Sequence, residues 1–127
     1  MYSSGPFPHP LEPGHGHLSS FDWGMIKWLF NGDTDPGCKL SVGVALIYEG
    51  MATPLHYHPN CDEVLYVISG ECDHSFDGRR ARLAPSASIF IPTGVRHNLI
   101  NVGSKAVECL ISFSSPDRQT VIIENET

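Results

Sequence analysis

Apolar and polar positions alternate in short runs along most of this chain, and Gly, Pro, Asn and Asp separate the runs. Ile26, Trp28 and Phe30 interleave with Lys27 and Leu29 at strand-like spacing, before the turn signals Asn31-Gly32-Asp33 and Asp35-Pro36-Gly37. Residues 40–48 (LSVGVALIY) are nearly continuous in apolar side chains, as in a strand covered on both faces. Further strands are predicted at 53–58, 64–69 and 71–76, with Asp77-Gly78 as a hairpin turn returning the chain through 79–83. Segments 88–91, 96–102 and 106–113 follow, each set off by Gly or Pro, and 120–124 adds an edge strand. Helical periodicity never extends beyond a turn or two, so the pattern predicts an all-β antiparallel sandwich or barrel.

Residues 1–20 break this pattern. They are rich in Pro, Gly and Ser and predict an extended, flexible N-terminal arm, leaving 21–127 as a single domain. His9, His15 and His17 lie in the arm, where the entropy of ordering opposes a defined metal site. The 127 residues, 41% apolar and 17% charged, are enough for one substantial core. A net charge of -6 with eight scattered Lys and Arg argues against nucleic acid as a partner. No apolar run is long enough for a membrane helix, and the first residues lack the basic flank and apolar centre of a secretory signal, so the expectation is cytoplasmic. Cys38, Cys61, Cys72 and Cys109 form no CxxC pair and are expected to be thiols, with Cys61 close to a site mouth.

The chemistry concentrates between Gly50 and Gly70. His56 and His58, two residues apart, project to one side of a strand, and the turn signal Pro59-Asn60 resets the phase so that Glu63 can rejoin them. Downstream, Pro92-Thr93-Gly94 delivers His97 onto the start of another strand. Three imidazoles and one carboxylate suit a divalent transition metal (Fe, Mn, Ni, Zn or Cu) with positions left open for water or substrate.

These residues resemble the two motifs of the cupin superfamily. Gly50, His56, His58, Glu63 and Gly70 match every defined position of the first, G(X)5HXH(X)4E(X)6G; Pro92, Gly94, His97 and Asn101 match the second, G(X)5PXG(X)2H(X)3N. Ser86 replaces the second motif's first glycine, in a turn whose backbone is not expected to need a positive φ. The resemblance covers roughly residues 40–114. It implies a small double-stranded β-barrel, or jelly roll, with the metal inside one end and two copies paired as a homodimer.

The fold does not choose a reaction. The chain resembles the cupin lyases of dimethylsulfoniopropionate in its size and in LHYH at 55–58, yet Leu65 stands where those enzymes place a tyrosine base. Its ISFSSPDR at 111–118 resembles the tail of cupins that open unsaturated uronates; the resemblance gives two parts to Phe113 and to Arg118, the arginine displaced by one residue, whereas Ile111 stands at their aspartate. Arg118 would anchor an anionic ligand. Cys109, Ile111 and Phe113 share one strand face and are candidates for the pocket wall, Tyr57 faces away from the metal, and His74 is expected to be a half-exposed strand histidine. With no other acid or base converging, the leading expectation is a metal-dependent enzyme with dioxygenase-like chemistry on a small organic substrate. A metal-assisted isomerase, lyase or ring-opening enzyme on a small acid, and a non-catalytic ligand-binding cupin, are the alternatives.

Overall fold

Eleven strands in the computed structural model, which describes residues 8–124, follow the alternating runs closely. They are β1 (His17–Phe21), β2 (Gly24–Phe30), β3 (Ser41–Ile47), β4 (His56–Tyr57), β5 (Glu63–Ser69), β6 (Cys72–Phe76), β7 (Arg79–Leu83), β8 (Ser88–Ile91), β9 (His97–Asn101), β10 (Val107–Phe113) and β11 (Val121–Ile122). A six-stranded sheet runs β1-β2-β3-β10-β5-β8, and a five-stranded sheet runs β11-β4-β9-β6-β7. Every strand pairing given for them is antiparallel. From β3 onward the chain passes repeatedly from one sheet to the other, the arrangement of a jelly roll.

Alternation decides what each strand buries. Ser41–Ile47 reads buried at every odd position and half-buried between, and Val107–Phe113 does the same. Their inner faces, with Ile26, Trp28, Leu65 and Val67, form the core. The exposed edge strand β7 carries Arg79, Arg80 and Arg82, charges that discourage pairing with another chain's edge. Asp73, facing outward on β6, bonds the guanidinium of Arg80 at 2.8 Å and that of Arg82. That contact fixes the phase of β6 and turns its neighbour His74 inward.

The structure departs from the sequence reading in three places. Strand β1 starts at His17, inside the segment 1–20 assigned to an arm, because its backbone pairs with β2 from His17↔Trp28 to Phe21↔Gly24, whatever its side chains. His74 is not half-exposed but 1% accessible, for the reason just given. Ser86 does adopt a positive φ of 76°, so the glycine that the motif places there answers a real demand of the backbone. Ser86 tolerates it while its N–H donates to the Val67 carbonyl at 2.8 Å, closing the turn into β8. Gly70 is stricter, since a Cβ there would stand 2.8 Å from the Ala106 carbonyl oxygen.

Candidate metal centre

His56 and His97 are direct cross-strand partners on β4 and β9, with ring centroids 4.2 Å apart. His58 continues the chain just past β4 and sets its ring 5.0 Å from His56 and 5.2 Å from His97. Glu63 arrives from the opposite sheet as the first residue of β5. Its Oε1 lies 3.1 Å from His97 Nε2 and 3.3 Å from His58 Nε2. The four side chains thus bring one ligand atom each to within 4.8 Å of one another, three of the residues being buried and His56 half-buried. Among the described residues no other group of His, Cys, Asp or Glu does so. Asp62 supports the arrangement by accepting bonds from the Thr93 N–H (2.8 Å) and hydroxyl (2.7 Å), while the Gly94 N–H donates to the His58 carbonyl at 2.9 Å. The turn before His97 is thereby tied to the segment that leads from His58 into Glu63.

The hydrogen bonds of the rings state how they are used. His56 Nδ1 donates to the Pro54 carbonyl at 2.7 Å, His58 Nδ1 to that of Gln119 at 2.8 Å, and His97 Nδ1 to that of Val95 at 2.8 Å. A carbonyl only accepts, so each Nδ1 carries a proton, and a ring without a second proton offers a lone pair at Nε2. Burial, then the neighbouring His97, lowers His56 to about 4, so it is neutral at ordinary pH. Burial alone would raise the Glu63 carboxyl; hydrogen bonds and positive charge from His58 and His97, when these rings carry a proton toward it, outweigh burial and hold it at about 2. A carboxylate facing two imidazole lone pairs is repulsive unless a cation or an extra proton stands between them. His58 Nε2 is buried without a hydrogen-bond partner. A divalent cation would meet all of these demands, so the residues fit a metal.

The cluster lines a cavity of about 220 Å³ between the sheets. Its walls are largely apolar and include Leu65, Cys109, Ile111 and Phe113, together with the stacked pair Phe21 and Trp23. The late-strand trio therefore does line the pocket. Burial pushes the Cys109 thiol far above its ordinary range, which marks it as wall rather than nucleophile. Leu65 is buried and Tyr66 exposed, so the phenol faces away from the cavity. Cys61 is buried but does not line it. Arg118 does, with its guanidinium 4.8 Å from the Trp28 ring centroid and 5.0 Å from that of Phe113. His74 also lines the cavity, its ring near-parallel to that of His97 at 5.6 Å, and burial lowers it to about 4. The sequence reading missed it, although the strand phase set by Asp73 pointed to it.

Known proteins share this fold. The chain is 30% identical over 73 residues to the polyketide synthase protein CurC of Streptomyces cyaneus, covering 58% of this chain and 47% of that one, about half the relative's length. Among solved structures it resembles an oxalate oxidase in complex with the substrate analogue glycolate, with a TM-score of 0.78 at 20% identity, covering 91% of this chain and 63% of that one. It also resembles the oxalate decarboxylase of Bacillus subtilis, a protein with Mn(II) centres, with a TM-score of 0.75 at 19% identity over 84% of this chain and 29% of that one. At such identities the likeness is one of fold. The family model of the cupin domain matches residues 43–113, which contain all four clustered side chains, and the chain belongs to that family.

Proposed function

We propose that this protein is a divalent-metal-dependent enzyme acting on a small organic substrate in the inter-sheet cavity, with dioxygenase-like chemistry as the leading class. The observation that carries this reading is the convergence of three backbone-anchored imidazoles and Glu63 in the lining of a largely apolar cavity. In this reading His56, His58, Glu63 and His97 hold the metal. A bound metal supplies Lewis acidity and, when redox-active, a route for electrons between substrate and dioxygen. Apolar residues at Leu65 and Ile111 leave those positions without an acid or base, while the walls exclude water from the reacting groups. The Mn(II) centres of a structural neighbour make manganese a natural first metal to load.

Arg118 favours a second reading, metal-assisted isomerisation or ring opening of a small acid. Its guanidinium is half-buried at the cavity wall, held against Trp28 and Phe113, and forms no ion pair among those given for the described residues. A substrate carboxylate would supply the missing anion. The two readings separate in one assay series. Protein loaded with iron, manganese or nickel is offered diketones, phenolics, thiols and an unsaturated uronate, with oxygen uptake and proton NMR recorded together. Oxygen consumption matched to loss of one organic substrate is the expected result. Conversion of the uronate without oxygen uptake would establish the second reading, and no turnover with any metal would leave a ligand-binding cupin.

The partner in this reading is a second copy of the chain. Val64, Tyr66, Ile68 and Phe90 are exposed on the outer face of the six-stranded sheet next to its β8 edge, with Val64 and Phe90 in direct register. The patch carries no charge of its own, so two such faces can meet without adding repulsion to chains of net charge -6. Light scattering on a sizing column is expected to give a dimer for the wild type and a monomer for Tyr66→Glu combined with Phe90→Glu. A monomeric wild type at micromolar concentration would refute the pairing.

A further inference from the structure

Two buried side-chain nitrogens have no hydrogen-bond partner among the described residues: His58 Nε2, in the metal cluster, and His74 Nδ1. The second lies outside that cluster. His74 is 1% accessible on the inner face of β6, in register with Leu99 and Ala81, where apolar side chains would pack without cost. Its Nδ1 meets no donor or acceptor among the described residues. Asn101, a buried polar side chain on the neighbouring strand, is in contrast fully engaged. Its Nδ2 donates to the Ile47, Tyr48 and Lys105 carbonyls, and its Oδ1 accepts from the Gly103 N–H. A buried imidazole nitrogen without a partner is a standing destabilisation that calls for another use of the ring.

That use is defined by what surrounds it. His74 lines the same cavity as the four clustered residues, and its ring lies beside the His97 ring at 5.6 Å with an angle of 18° between their planes. Arg118 also lines this cavity. We propose that His74 is a substrate-binding residue, hydrogen-bonding an oxygen of a small oxygenated organic molecule (a hydroxyl, carbonyl or enol) seated between it and the metal centre. The inference rests on the reading of the cavity as a substrate site. A neutral imidazole both donates and accepts, so it suits a ligand whose oxygen exchanges between hydroxyl and carbonyl forms. An apolar side chain at this position would leave that oxygen unpaired in a dry cavity, which is a strong basis for selectivity.

The test compares wild type, His74→Leu and His74→Gln, each loaded with manganese and assayed for metal content. The probes are acetylacetone, catechol and glycolate, with binding measured anaerobically by calorimetry. Metal content is expected to be equal in all three proteins. His74→Leu should melt about 2–5 °C above wild type, because it replaces an unpaired buried polar group by an apolar one. It should also bind the best probe roughly tenfold or more weakly, with His74→Gln between the two. A lower melting point in His74→Leu would make the histidine structural and overturn the assignment. Equal affinity in wild type and His74→Leu would overturn it alone, whereas a wild type that binds none of the probes would bring down the substrate reading and the assignment together.

Discussion

Loading the metal-free protein with manganese or zinc is expected to raise its thermal unfolding midpoint by about 10 °C or more, and a chelator should reverse the gain. The reason lies in the protons of the site. Each ring nitrogen that carries a proton is committed to a backbone carbonyl, at 2.7 to 2.8 Å. The Glu63 carboxylate, 5% accessible, therefore faces two Nε2 atoms that offer only lone pairs unless a second proton is added to each ring. A dication satisfies all four groups at once and binds the unfolded chain far more weakly, since the ligands come from both sheets. At a thousandfold excess over the dissociation constant, such binding contributes about 4 kcal/mol. His97→Ala and Glu63→Ala should each lose most of the gain, with metal affinity falling about 100-fold or further, because even residues that only support metal ligands cost 10- to 100-fold. Scanning fluorimetry with metal analysis is the measurement. Equal midpoints with and without metal, or a His97→Ala protein that gains as much as wild type, would remove the metal centre from consideration.

How far this centre could be read from the sequence depends on which atoms build it. The four side chains announce themselves, because HxH on a strand, a turn that resets the phase and a histidine after Pro-Thr-Gly leave few other arrangements. The anchors that orient the rings do not. They are the carbonyls of Pro54, Gln119 and Val95, which any residue type would supply equally well. Strand β1 was hidden for the same reason, since HLSSF pairs through its backbone while its side chains stay mostly exposed. His74 is a different kind of case. Its inward orientation was implicit in the sequence, because Arg80 and Arg82 lie within hairpin reach of Asp73, and a residue next to an outward-facing one must face in. Its emptiness of partners was not implicit, because that depends on everything packed around it. Ser86 lies between these cases. The motif places a glycine there, and only the backbone, with φ at 76°, shows that the position needs left-handed geometry.

The second large effect is expected at Asn101, which the motif marks alongside the ligands and which the structure places at the far end of β9 from His97. Its side chain, on a residue 5% accessible, ties that end to the loop after β3 and to the loop before β10. Asn101→Ala would remove two N–H donors shared among three carbonyls and the acceptor of the Gly103 N–H, while the Tyr48 carbonyl keeps its bond from the Met51 N–H at 3.1 Å. At about 1 kcal/mol for each lost hydrogen bond the cost is roughly 2–3 kcal/mol. That is a large share of the stability ordinarily available to a domain of this size. The urea midpoint should fall by about 1–2 M with an unchanged slope. Asn101→Asp separates bonding from volume. It keeps the acceptor for the Gly103 N–H but sets a carboxylate against the Ile47, Tyr48 and Lys105 carbonyls, so it should lose at least as much. In the fraction that remains folded, metal content should match wild type, because Asn101 is not among the clustered ligands. An Asn101→Ala protein within about 1 kcal/mol of wild type, or an Asn101→Asp protein as stable as wild type, would contradict this account. A five-residue strand then carries a candidate metal ligand at one end and a polar lock of the fold at the other.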